Sequence, residues 1–276
     1  MKINSPESKV VVISGGSRRI GYATAESLMA KGATVCLIAR DEEKLKRAAD
    51  SLNERGMLGR AQYYACDVSN NEQVKAVIEK IASTNNGIDW VINNAGIGET
   101  GRFESQPLEV MHKVMDINYW GAAHLTLAAL PWLRKSSGAA VAFVSSVAGY
   151  VGLFGYTHYV PSKFALTGLA ECLRMEFADY NISVTVIYPP DTDTPMHHEE
   201  IKNTLPECRA LSANAKLVSP MLVSQKLIDG MMKGKFEVYC NGESKMIRVL
   251  RGLTPKLFYG QVDGIVKKSR KAAVSS

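Results

Sequence analysis

Six short apolar runs recur along the chain: Lys9–Ser14, Ala33–Ala39, Gln62–Cys66, Asp89–Asn93, Ala139–Val144 and Ser183–Tyr188. Few polar residues interrupt them, and longer stretches of helical period lie between. A strand that is apolar throughout needs cover on both faces, which a parallel sheet between two layers of helices provides. Helices are expected over 20–31, 42–54, 71–83, about 107–118, 119–135 and 157–179, with a short seventh strand at 236–239. With right-handed crossovers this alternation specifies an α/β fold, a single-domain Rossmann-type doubly wound parallel sheet with helices on both faces. Ligands bind such sheets above the C-terminal ends of the strands. No repeat, linker or low-complexity segment is visible before about residue 241. The expected organisation is a catalytic domain over 1–244 and a basic amphipathic tail over 245–276.

The charge is uneven. The chain carries 33 basic and 27 acidic residues, and eight of the basic but one acidic residue fall between Lys245 and Ser276. The near-neutral remainder argues against a nucleic-acid-binding body. No stretch approaches the ~20 apolar residues that span a bilayer, and residues 1–7 show no apolar signal segment. The five cysteines are scattered without a Cys-x-x-Cys pair. Free thiols in a reducing, cytoplasmic setting are expected. No metal site is expected: His197 and His198, beside Glu199 and Glu200, are adjacent on a helix and do not face one point.

Ser14-Gly15-Gly16-Ser17-Arg18-Arg19-Ile20-Gly21 lies between the first strand and the first helix. Glycines there permit a tight turn and close approach to a phosphate, which the helix N-terminus attracts. Further on, Tyr159 and Lys163 are four residues apart, a spacing that stacks them on one helical face. An ammonium beside a phenol favours its ionised form, and such a tyrosine can pass a proton to a carbonyl oxygen. Pro161 between them requires the helix to begin only a few residues earlier.

With these motifs the sequence resembles the short-chain dehydrogenase/reductase family, whose loop reads Thr-Gly-x-x-x-Gly-x-Gly. Ser14 replaces the threonine and Arg19 the middle glycine. The resemblance makes Ser14 to Gly21 a cofactor loop and implies roles for Asp67 and Val68 at the adenine. It also places Asn93, Ala95 and Gly96 of Asn93-Asn94-Ala95-Gly96 against the cofactor, Asn93 having the stronger claim to a contact. It makes Ser146, thirteen residues before Tyr159, the donor to the substrate oxygen, in preference to Ser145. Tyr159 becomes the proton donor, and Lys163 the group that tunes it and binds the cofactor ribose. Asn118 becomes the holder of a water linked to Lys163. Pro189, Thr192 and Thr194 fall in the segment that contacts the nicotinamide, with Pro190 in place of a family glycine. His158 is expected at the surface or behind the site.

NAD sites carry an acid after the second strand where NADP sites offer an arginine. Here Ala39 is followed by Arg40, with Arg18 nearby and Asp41 as a helix N-cap, so NADPH is the expected cofactor. The stretches Gly152–Tyr159 and Tyr188–Pro195 resemble, more narrowly, the 3-ketodihydrosphingosine reductases, without the N-terminal membrane segment of their eukaryotic members. That implies reduction of a long-chain keto sphingoid base to sphinganine in sphingolipid biosynthesis. The alternatives are a carbonyl reductase of the same family acting on another lipid, steroid or polyol-type ketone, and a non-catalytic NADP(H)-binding scaffold. The resemblance also implies a homo-oligomer. In the tail, Phe258, Val262, Ile265 and Val266 form an apolar stripe beside Lys256, Lys267, Lys268, Arg270 and Lys271. Two readings stand: the stripe lies on an anionic membrane at the cytoplasmic face, or it packs on the body or on another subunit.

Overall fold

The computed structural model describes residues 5–98, 100–193, 204–213 and 216–274. Strands β1 (Val10–Ser14), β2 (Thr34–Ala39), β3 (Arg60–Ala65), β4 (Trp90–Asn93), β5 (Ala140–Val144), β6 (Ser183–Tyr188) and β7 (Glu237–Tyr239) form one sheet. Its order is β3-β2-β1-β4-β5-β6-β7 and each neighbouring pair is parallel. The helices are α1 (Arg19–Met29), α2 (Glu42–Asn53), α3 (Asn71–Asn85), α4 (Leu108–Met115), α5 (Gly121–Leu133), α6 (Val160–Glu176), α7 (Pro206–Ser212), α8 (Pro220–Met232), α9 (Gly242–Leu253) and α10 (Pro255–Val274).

Strand alternation sorts the apolar runs onto two faces. Val12, Cys36, Ile38 and Val91 join a core that includes Ile78 of α3, Leu125 of α5 and Leu166 of α6. Val11, Ile13, Val35 and Leu37 join the opposite core with Leu28 of α1, Leu45 of α2 and Leu227 of α8. Each fully buried Val, Leu or Ile contributes about 1.5–3 kcal/mol of transfer free energy. The chain runs from β1 outward through β2 and β3, then returns to β4 on the other side of β1. The connections leave β1 and β4 in opposite directions, and a crevice opens above their C-terminal ends.

Two helical boundaries differ from expectation and both bear on the site. Helix α6 starts at Val160 rather than 157, with Pro161 in its first turn, and ends at Glu176 before a short 3-10 turn. The missing proline N–H costs nothing only there, so Tyr159 becomes the residue that caps the helix. The helices expected over 107–118 and 119–135 are instead one path, α4 into α5, joined by a π-turn at Asp116–Trp120. Gly121 follows the π-turn because a Cβ there would meet Val68 Cγ2 at 2.6 Å.

The C-terminal segment is folded against the body. Asn241 caps α9 by accepting from the Ser244 N–H, and the Tyr150 hydroxyl donates to the Ser244 carbonyl at 2.7 Å. Helix α10 packs along α7. Of the stripe noted in the tail, Phe258 packs against the core and Val262 and Val266 are half-buried, while Ile265 is exposed. All five cysteines are free thiols.

Candidate active site

The loop after β1 is shaped by contacts that sequence pattern could not reveal. The Gly15 N–H donates to the Ile38 carbonyl at 2.8 Å. The Asn94 Nδ2 donates to the carbonyls of Ser14 and Gly15, and the N–H groups of Asn94 and Ala95 donate to Ser14 Oγ, all within 2.9–3.1 Å. Asn94 thus ties the end of β4 to the loop. A Cβ on Gly21 would lie 2.3 Å from the Gly15 carbonyl oxygen, and one on Gly16 would lie 2.8 Å from Leu37 Cδ2. A side chain at Gly21 displaces the turn, and one at Gly16 pushes Leu37 aside.

A cleft of about 1140 Å³ opens over these strand ends. From the loop, Gly15, Ser17, Arg18, Arg19 and Ile20 line it; Ser14, Gly16 and Gly21 lie behind and hold its shape. Arg40, Asp67 and Val68 line the same end, and Ala95 and Gly96 the middle. Asn93 does not line it. Its side chain is buried and its Nδ2 donates to Thr126 Oγ1 of α5 at 2.9 Å. Successive strand side chains point to opposite faces, so Asn93 turns toward α5 while Asn94 serves the loop. The Asn93 side chain therefore braces α5, and the Asn94 side chain is the one that reaches the loop.

At the far end Ser146, Tyr159 and Lys163 come together on the cleft wall. Lys163, the fourth residue of α6, is 4% exposed and donates to the Val144 carbonyl at 2.9 Å. Its Nζ stands 5.6 Å from the centre of the Tyr159 ring. Burial pulls its ammonium down to about 8, because a low-dielectric surrounding disfavours the charged form. A Cβ on Gly96 would lie 3.2 Å from Asn118 Oδ1 and 3.5 Å from Lys163 Nζ, and one on Gly98 would lie 3.6 Å from Tyr159 Cδ2. The two glycines leave a flat strip beside the lysine and the tyrosine, the space a planar ring needs.

Ser145 and Ser146 separate cleanly. The Ser145 hydroxyl is buried, donating to the Lys163 carbonyl at 3.2 Å and facing Thr167 Oγ1. Ser146 Oγ accepts from the Ala148 N–H at 3.1 Å, which leaves its proton available to a ligand in the cleft. Asn118 sits in the π-turn, buried, and does not line the cleft. Its Oδ1 accepts from the Ile97 N–H, and its Nδ2 donates to the Ile97 carbonyl and to Ser162 Oγ, each at 2.9 Å. Ser162 Oγ in turn donates to the Tyr159 carbonyl at 2.7 Å. Asn118 therefore braces the glycine strip and the start of α6 at once. Ser162 was not foreseen; its one signal is a polar residue three positions after Tyr159, on a helix face that must be buried.

Tyr156 also lines the cleft, its ring 6.3 Å from that of Tyr159. His158 is 2% exposed, with Nδ1 3.3 Å from Thr157 Oγ1, and it is neither at the surface nor among the lining residues. Pro189, Pro190 and Thr192 line the cleft beyond β6. The Val147 N–H donates to the Pro189 carbonyl, and a bridge pairs Thr192 with Val218. Thr194, His197 and His198 lie outside the described residues.

Residues 9–205 match the model of the family described as short chain dehydrogenase. The chain belongs to this family. It is 36% identical over 269 residues to a protein named 3-ketodihydrosphingosine reductase from Dictyostelium discoideum, covering 91% of this chain and 80% of that one. It is 38% identical over 250 residues to one named 3-dehydrosphinganine reductase from Danio rerio, covering 89% and 75%. A Bacillus subtilis protein named an uncharacterized oxidoreductase is 30% identical over 275 residues, covering 99% and 76%.

In this short-chain dehydrogenase the arginine that departs from the family loop takes physical form. Arg19, in the place of a glycine, adopts φ 55°. A non-glycine residue in that region carries a cost of about 1 kcal/mol or more, and here it puts a guanidinium on the cleft wall. Arg18, Arg19, Arg40 and Lys44 all line this end. Asp41, the acid in reach, is committed as the N-cap of α2: it accepts from the Lys44 side chain and N–H, which hold its carboxyl below the usual range. Three arginines at this end of the cleft offer charge-assisted donors to an anionic group. Arg40→Asp is expected to weaken NADPH binding by about 10- to 100-fold, the weight of one or two charge-assisted hydrogen bonds, and to leave NADH binding nearly unchanged. Fluorescence titration with both dinucleotides checks this; parallel losses would remove Arg40 from the selectivity.

Proposed function

We propose that the protein reduces the 3-keto group of 3-ketodihydrosphingosine to sphinganine with NADPH. The observation that carries the chemistry is one cleft whose cationic end holds Arg18, Arg19 and Arg40 and whose far end holds Ser146, Tyr159 and Lys163. The names of the relatives from Dictyostelium discoideum and Danio rerio supply the substrate class. The dinucleotide supplies the hydride. Ser146 donates a hydrogen bond to the carbonyl oxygen, where negative charge grows. Tyr159 gives that oxygen its proton as the carbonyl carbon is reduced. Lys163 steadies the resulting phenolate and holds the cofactor ribose, and Asn118 keeps the strip and the helix start in register. Leu153 and Ile97 on the wall offer apolar surface to the ketone's chain.

The enzyme works at a lipid surface. Met246, Val249, Leu250 and Leu253 recur at i, i+3, i+4 and i+7 on α9 and all are exposed; Leu257 continues the ridge past the elbow into α10. Leu253 is 78% and Leu257 70% exposed, with Lys256 beside Leu257 and Lys245 at the start of α9. Among the described residues no helix is long and apolar enough to cross a membrane. An apolar ridge flanked by cations suits insertion into an anionic lipid surface at the cytoplasmic face, where a long-chain ketone resides. This ridge, rather than the stripe through Phe258, is the surface we assign to lipid. Exposed Trp120, Leu127 and Met175 on the π-turn, α5 and α6 are assigned to contact with a second copy; a solution mass of one chain would remove that assignment.

One assay tests the substrate and the surface together. NADPH oxidation is followed with 3-ketosphinganine in anionic or neutral vesicles, beside steroid, acyl and polyol ketones. The expected result is the highest kcat/KM for 3-ketosphinganine, with anionic vesicles preferred. The variant Leu253→Glu with Leu257→Glu is expected to lose vesicle binding while reducing detergent-dispersed substrate normally. A better ketone elsewhere in the panel overturns the substrate, and unchanged vesicle binding by the variant overturns the ridge.

A further inference from the structure

The segment Leu153–Tyr156 forms part of the cleft wall, since Leu153 and Tyr156 both line it. It also leads directly into the catalytic tyrosine: the Tyr156 carbonyl accepts from the N–H groups of Tyr159 and Val160 at 3.0 and 2.8 Å. Behind this wall stands Glu207, on α7, a carboxylate 3% exposed whose two guanidinium partners are far from it in sequence. One of its oxygens, Oε1, accepts from Arg102 Nη2 at 2.9 Å and from Arg270 Nε at 3.3 Å. Both guanidiniums lie against the Phe154 ring, at 5.4 Å for Arg102 and 5.1 Å for Arg270. Cations attracted to an aromatic face are held more firmly when a buried anion fixes them.

Backbone contacts complete the grip. Cys208 Sγ donates to the Phe154 carbonyl at 3.0 Å, and the Gly101 N–H donates to the Gly155 carbonyl at 2.8 Å. Gly155 takes φ 76°, and a Cβ there would meet Cys208 Sγ at 2.7 Å. Three separate parts of the chain, the turn at 101–102, helix α7 and the last helix α10, therefore converge on Phe154 and Gly155. The nicotinamide-dependent chemistry uses none of these groups.

We propose that Glu207 is a positioning residue. Through Arg270 it fastens α10 to the substrate wall, so that the C-terminal helix fixes the shape of the ketone-binding end without touching the reacting atoms. The inference rests on the proposed ketone reduction only for its kinetic readout. Its first consequence is local. In Arg270→Ala, amide exchange at residues 152–157 is expected to accelerate about tenfold or more, with β2 and β5 unchanged. Its second is a split in kinetics: KM for 3-ketosphinganine rises about tenfold, while kcat stays within about threefold and NADPH affinity by fluorescence is unaltered. Arg270→Lys, which keeps a cation over Phe154 and within reach of Glu207, restores most of both effects. Arg102→Ala reproduces the exchange result from the other side of the ring.

Unchanged exchange at 152–157 overturns the clamp. So does acceleration spread evenly over β2 and β5, which marks general loosening, and so does faster local exchange with an unaltered KM. If the wild type does not reduce 3-ketosphinganine at all, the substrate assignment fails instead. The clamp is then judged by the exchange pattern and by KM for whichever ketone of the panel is turned over.

Discussion

Replacing Tyr159 with phenylalanine is expected to lower kcat for ketone reduction by about 10³-fold, within the 10²–10⁴ that a positioned proton donor contributes. The change removes one hydroxyl and keeps the ring. That ring makes the contacts with the Gly98 strip and the neighbourhood of Lys163 that hold the wall in place. Fold stability and NADPH affinity should therefore stay near wild-type values. Two nearby groups test whether the donor is rightly identified. Tyr156 lines the same cleft with its ring 6.3 Å away, but Lys163 lies over Tyr159. Tyr156→Phe is expected to cost less than about tenfold. His158 is buried and is not among the residues that line the cleft. Steady-state kinetics with a fluorescence titration of NADPH decides the matter: a Tyr159→Phe enzyme with most of its turnover intact would move the proton donor elsewhere.

Lys163→Met is expected to abolish measurable turnover and also to change how stability varies with pH. In the folded apo protein burial brings the Lys163 ammonium from its ordinary 10.5 down to about 8. Between those two values the unfolded chain holds a proton that the folded chain has released. Stability therefore rises with pH across that window, because protons bind the unfolded state preferentially. The gain amounts to about 3 kcal/mol, and the methionine variant lacks it. The Val144 carbonyl loses its donor in the variant, a cost of about 1–3 kcal/mol, but that cost is the same at every pH and cancels from the comparison. Urea unfolding of both proteins at pH 7 and pH 10 reads the difference directly. A wild-type curve parallel to the variant's would mean Lys163 titrates at its ordinary value. The same titration limits catalysis: kcat/KM for reduction should fall as pH rises past about 8, where the cation that steadies the phenolate is lost.

How much of this was legible beforehand varies from residue to residue. The strand β6 runs over Ser183–Tyr188, the apolar run expected there, and Asp41 caps α2 as its place after the second strand implies. The pairing of Tyr159 with Lys163 was accessible from spacing, and the choice of Ser146 over Ser145 from the family resemblance. The resemblance gave Asn93 the stronger claim to a cofactor contact, yet its side chain turns to α5 while that of Asn94 holds the loop, because successive strand side chains face opposite ways. The brace of Asn118, Ser162 and the Tyr159 carbonyl was invisible for a different reason: it joins residues 44 apart through a π-turn that no periodicity announces.

The sequence by itself determined the layered sheet, the glycine loop and the tyrosine–lysine pair. Each rests on contacts a few residues apart, where backbone geometry and side-chain period leave little choice. The tertiary structure alone decided which asparagine serves the loop and how far burial depresses Lys163. It also turned Phe258 inward while the α9 ridge faces outward, and brought Arg102, Glu207 and Arg270 to one phenyl ring. Those outcomes depend on which distant surfaces meet and exclude water, and burial and dielectric are properties of the assembled chain rather than of any segment of it.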